Sequence, residues 1–167
     1  MRRLSVGSQG RSRKIFQPQI TRSIKKINVA QKIRVLFDLN IILDVLQQRE
    51  PFYEISAQLL AYAETGRIKG FIEPHSLTTL FYLIEKDQSS AHAKVTITSL
   101  LQVLDVASID QSTIEQALSL PYRDFEDAVQ MMAAVQCKAE YLVTRNVKDF
   151  QPAPLSVIQP SELLALI

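Results

Sequence analysis

The stretch VLFDLNIILDVL, Val35–Leu46, sets Asp38, Asn40 and Asp44 into a run that is otherwise entirely apolar. Burying such carboxylates without a partner is costly, so the polar set belongs where the run meets water or a cation. Ile33–Phe37 is short, apolar and β-branched enough for a strand. Asn40 is suited to cap a helix that runs through Ile42 and Val45 to about Gln48. A strand that hands over to a helix at an aspartate is the unit from which the rest of the chain can be read.

Outward from it, strands and helices alternate. Pro51 interrupts the chain, and a second helix runs from about Glu54 until Gly66 stops it. A strand is expected at Lys69–Glu73, and Pro74 opens the helix HSLTTLFYLIEK. Ser90–Val103 reads as a further helix, with Ala93, Ile97, Leu100, Leu101 and Leu104 on one face, before a strand around Leu104–Ala107. Asp110 caps TIEQALSL, and Asp124 caps FEDAVQMMAAVQCKA, whose Ala128, Met131, Met132 and Val135 form an apolar stripe. YLVT, Tyr141–Thr144, is apolar enough for a central parallel strand. LSVI near Leu155 supplies an edge strand, and a last helix starts at Pro160. The expected architecture is α/β, a three-layer sandwich with a mainly parallel central sheet flanked by helices.

The chain has 167 residues, 47% of them hydrophobic, which suits one domain with a proper core. Its single cysteine, Cys137, excludes an intrachain disulfide framework. No apolar run nears the roughly 18 residues of a membrane span, so a soluble, cytoplasmic protein is expected. The net charge of +2 conceals a division. Met1–Arg34 holds ten Lys/Arg and no acid, leaving nine Lys/Arg against all seventeen acids, a net charge of −8, in residues 35–167. Residues 1–32 read as a disordered basic arm and 33–167 as the folded domain. The arm suits a nucleic-acid tether, a transit-like leader, or residues upstream of the true start.

Ligands of parallel α/β sheets bind beyond the carboxyl ends of the strands, where the strand order reverses. Asp38 follows one strand, and Asn146 and Asp149 follow another. Asp124, Glu126 and Asp127 lie in the first turn of the helix leading into that second strand. Carboxylates from separate segments would thus converge, and crowded carboxylates must take up protons or share a cation. An oxygen donor set suits Mg²⁺ or Mn²⁺. The natural chemistry is attack of a metal-activated water on a phosphodiester. His75 and His92 stand apart from this group, and no Cys/His spacing suits zinc.

Together, FDLNIILDVL and YRDFEDAVQMMAAVQCKAEYLVTRNVKDF resemble the PIN domain in its VapC-like group, over about Ile33–Ile167. The resemblance implies a metal-dependent endoribonuclease of the toxin–antitoxin type. It implies catalytic acids Asp38, Asp127 and Asp149, and a metal set of Asp38, Asp127, Asn146 and Asp149. Thr144 matches a supporting residue. Asn146 stands where many relatives carry Asp, and Asp149 is the candidate replacement for that charge. RNA as substrate, a cognate antitoxin and a homodimer are the implied partners. One departure stands out: the helix after the second strand has Thr78, Thr79 and Leu80 where the family brings a Glu, and Glu85 lies more than one turn further on.

Blander readings accompany each residue. Asp124 and Asp127 suit a helix cap and its dipole. Asp44, with Asn40 a supporting candidate, suits an outer or loop-anchoring role, and Asp149 suits a cap while Phe150 packs inward. Arg145 and Lys148 are the candidates for RNA phosphate, with a solvated arginine as the alternative. His75 reads as a helix-start residue and Cys137 as a small buried group. Two other functions stand beside the nuclease: a degenerate PIN domain that binds RNA or a protein without cutting, and a phosphatase with Asp38 as nucleophile. The second lacks its general acid, since Asn40 occupies that position.

Overall fold

The computed structural model describes residues 32–167. The basic arm read from the sequence therefore lies, apart from Lys32, outside the described residues. The compact unit runs from Lys32 to Ile167. Five strands form one parallel sheet: β1 Arg34–Phe37, β2 Lys69–Ile72, β3 Asp105–Val106, β4 Tyr141–Val143 and β5 Ser156–Ile158, in the order β3-β2-β1-β4-β5. The helices are α1 Leu39–Leu46, α2 Tyr53–Glu64, α3 Pro74–Asp87, α4 Ser90–Val103, α5 Gln111–Leu118, α6 Phe125–Gln136 and α7 Pro160–Leu166, with a 3₁₀ turn at Val147–Phe150. The expected α/β sandwich is the observed one.

Alternation along buried strands divides the core. Val35, Phe37, Ile72 and Val143 pack with α1–α4 and α7, whereas Leu36, Phe71 and Leu142 pack with α5, α6 and the 3₁₀ turn. Both faces are covered, so the strands read as continuous apolar runs. Gly70 fits because there is no room for more: a Cβ would run into Leu104 Cδ2 and meet Phe37 Cε2 at 3.0 Å.

Three sequence expectations are corrected. Asp38, not Asn40, is the N-cap position of α1, and its side chain makes no cap hydrogen bond. Helix α1 ends at Leu46 rather than about Gln48, because Gln48 turns into the left-handed region at φ 48°. Leu101 and Val135 face outward, 43% and 39% exposed, while Ala134 lies fully buried beside Met131. Helical phase explains Leu101, since Ala93, Leu100 and Leu104 recur at seven- and four-residue spacing and Leu101 falls off that stripe.

Candidate metal-dependent phosphodiester site

β1 is the central strand, and the order reverses between it and β4, so the chain leaves the two strands in opposite directions across the sheet. The crevice predicted by the parallel-sheet rule opens at their carboxyl ends. Asp38 stands there. Its backbone N–H donates to Val143 O at 3.0 Å, and its Oδ2 accepts from the buried Thr144 Oγ1 at 2.7 Å. That hydroxyl also accepts from the N–H of Asn146 at 3.0 Å. One threonine thus fixes the first acid to the loop that carries Asn146 and Asp149.

Asp127 faces this junction from the first turn of α6. Its carboxyl is pushed up to about 6, first by burial, then by the negative charges of Asp124, Asp149, Asp38 and Glu126. The sequence put these acids at one edge of the sheet, and their mutual field is the mark of that convergence. Asp124 caps α6, accepting from Glu126 N–H at 2.9 Å, as its blander reading held. Asp149 lies exposed in the 3₁₀ turn, while Phe150 is buried edge-on to Tyr122, 6.3 Å between ring centres.

The chemistry of this donor set fits a hard divalent cation: carboxylate and amide oxygens only, with the negative charges around Asp127 adding to the effect of its burial. Among the described residues, no three acidic, histidine or cysteine groups stand at the spacing of a closed ligand shell. The acids share a field without being gathered.

Asp44 and Arg145 form a separate device beneath the site. Asp44 is fully buried; its Oδ2 accepts from Ser56 Oγ at 3.3 Å, and its Oδ1 lies 3.2 Å from Arg145 Nη1, an ion pair without hydrogen-bond alignment. Burial raises the Asp44 carboxyl, and Arg145 opposes that rise without cancelling it. The guanidinium also donates to Asn40 Oδ1 at 3.4 Å and stacks 4.3 Å over the Phe52 ring. Arg49 donates to the same Asn40 oxygen. Arg145, expected on RNA phosphate, is thereby turned inward; Lys148 is exposed.

Two residues that sequence reasoning left without a role, Glu73 and His75, lie beside the helix that carries Asp127. Glu73, at the end of β2, is 2% exposed, and its carboxylate accepts from His75 N–H and Ser76 N–H, both at 2.9 Å. It stands at the sheet edge as a fourth acid would, but its oxygens cap α3. His75 Nε2 lies 3.3 Å from Glu126 Oε2 and 3.4 Å from Thr79 Oγ1, at the place where the family's helix acid is missing. The spacing of His75 and Thr79, one helical turn apart, was the available signal.

The PIN domain family model matches residues 34–148, and the chain belongs to the PIN domain family. Its fold is that of the VapC toxins. The crystal structure of VapBC2 from Rickettsia felis, bound to a DNA fragment from their promoter, superposes with a TM-score of 0.59 at 18% identity, covering 76% of this chain and 98% of that one. A toxin–antitoxin complex from Klebsiella pneumoniae gives 0.59 at 24% identity, over 75% and 97%. VapC20 of Mycobacterium tuberculosis, a sarcin–ricin loop cleaving toxin, gives 0.50 at 14% identity, over 65% and 86%. No protein of curated description matches the chain in sequence. No helix among the described residues is long and apolar enough to cross a membrane.

Proposed function

We propose that the protein is a metal-dependent endoribonuclease of the toxin–antitoxin type, hydrolysing RNA phosphodiester bonds. The observation that supports this reading is the junction of Asp38 and Thr144 at the strand-order reversal, faced by an Asp127 carboxyl that burial first, and then neighbouring acids, push up to about 6. Asp38, Asp127 and Asp149 would hold Mg²⁺ or Mn²⁺, with Asn146 as a neutral oxygen donor. Such a cation supplies an activated water and charge to set against the phosphorane oxygens. Thr144 orients Asp38, Asp124 fixes the first turn of α6, and Asp127 must give up its proton before it serves as a ligand. Lys148 is placed to meet the RNA backbone. The Asp44–Arg145–Asn40 group holds the floor of the site.

A cognate antitoxin is the proposed protein partner, by analogy with the complexes that share the fold, and a second copy of the chain is the partner that the sequence resemblance alone implies. Thr79, in place of the family's helix acid, favours a second reading in which the domain binds RNA or a partner without cutting. One experiment separates the two. In Mn²⁺ the parent cleaves single-stranded RNA and melts at higher temperature than without the ion, while Asp38→Asn folds but does neither. A parent that shows no cleavage and no metal-induced shift, with Thr79→Glu changing neither, leaves the non-cutting reading in its place.

A further inference from the structure

Beside the acid junction, between the start of α3, helix α5 and the start of α6, lies a cleft of about 610 Å³. Ile109, Ile114 and Val129 wall it, Phe125 stands at its rim 47% exposed, and the His75–Glu126 pair closes one end. Phe125, Glu126 and Asp127 share the first turn of α6, so the cleft lies at the same helix end as the proposed metal ligand. Of the other rings near the site, Phe52 is covered by the Arg145 guanidinium and Tyr122 packs edge-on to the buried Phe150.

We infer that this cleft is a nucleobase subsite, taking an unpaired guanine of the RNA next to the bond that is cut. The assignment rests on the ribonuclease reading above. An acidic cleft repels phosphate, so the base rather than the backbone enters it. Apolar walls and an aromatic ring suit a stacked base. An ionised carboxylate only accepts hydrogen bonds, and guanine's N1–H and N2–H₂ offer two adjacent donors to it. Adenine and cytosine each pair their amino group with a ring-nitrogen acceptor, and uracil flanks its single N–H with two carbonyls. His75 holds one oxygen of the Glu126 carboxylate, with Thr79 against the same imidazole, which leaves the other oxygen for the base.

The test uses the full chain in two arms. With cleavage silenced by Asp38→Asn, guanosine should shift the NMR resonances of Ile109, Ile114, Val129 and Phe125, inosine less, and adenosine hardly at all. In the parent, single-stranded RNAs with one guanine should be cut about tenfold faster beside it than the same RNAs with adenine there. Glu126→Gln and Phe125→Ala should each collapse that ratio. The ratio is the readout because a general effect of either substitution on Asp127 slows both RNAs alike. Cleavage without base preference, unaltered by either variant, overturns the subsite and leaves the nuclease standing. Guanosine seated in the cleft of a protein that cuts no RNA upholds the subsite and overturns the nuclease. A cleft silent to every nucleoside is one for a protein side chain, and the assignment fails.

Discussion

Asp127 carries the most exposed consequence at the scale of single residues. Its carboxyl titrates near 6 in the fold against the ordinary 3.8, so between those values the folded protein holds more protons than the unfolded one. Stability from this group is therefore greatest below about pH 4, falls as pH rises through 6, and is lowest above it. Asp127→Asn removes that penalty. The metal-free variant should be more stable than the parent by about 1–2 kcal/mol at pH 7.5, after allowance for solvent screening, and the difference should shrink at pH 5. Urea unfolding at the two pH values measures it, and a parent less stable than the variant by the same amount at both contradicts it. Arg145 gives the opposite case. Arg145→Met leaves Asp44 buried without its cation and should cost about 3–5 kcal/mol, most of it recovered by adding Asp44→Asn. Full stability in the single variant would show that the pair does not hold the site floor.

Helix α3 concentrates what the elements decide. It begins at a glutamate that caps it, carries His75 on its first turn, and presents Thr79 one turn later. Glu73→Ala should lower stability by about 1 kcal/mol through loss of the cap. Glu73→Gln should leave the Mn²⁺-induced shift in melting temperature intact, because the carboxylate is spent on backbone N–H groups; a shift that vanishes would make Glu73 a ligand. Thr79→Glu should increase that shift, since it returns an acid to the helix facing the junction. Strand β2 is held as tightly at Gly70, where an added methyl meets Leu104, Phe37 and Ala63. Gly70→Ala should cost about 1–3 kcal/mol in overpacking, read from the denaturant midpoint.

For the molecule as a whole, charge is divided between the basic N-terminal residues and an acidic domain. Residues 35–167, with a net charge of −8, do not draw RNA from a distance, whereas the basic N-terminal residues would. Deleting Met1–Gln31 removes eight Lys/Arg, and should weaken RNA binding and flatten its salt dependence by about 0.7 for each phosphate that is no longer neutralised. An unchanged slope would remove the tether from the account. The melting temperature of the deleted chain should stay within a few degrees of the parent's, because the removed stretch has no periodic apolar face to pack.

What the sequence determined by itself is whatever is written within a turn or a strand. Short apolar runs and helical spacing revealed the order of elements, Asp110 and Asp124 marked two helix starts, and the near-unbroken runs at Val35–Phe37 and Tyr141–Val143 marked strands covered on both faces. The order of Asp38, Asp127 and Asp149 along the chain was legible for the same reason. Only the tertiary structure decided what those residues face. The rise of the Asp127 carboxyl to about 6 comes first from burial and then from acids that include Asp149 and Asp38 on separate segments, which adjacent sequence does not encode. Arg145 looked like a surface cation until folding placed the buried Asp44 and the ring of Phe52 against it. His75 is the helix-start residue that the sequence showed, and only folding brought Glu126 of α6 within 3.3 Å of its imidazole. Local pattern follows from bonds and periodicity a few residues long, whereas Coulomb fields and packing act through space, and the sheet order sets which distant residues share that space.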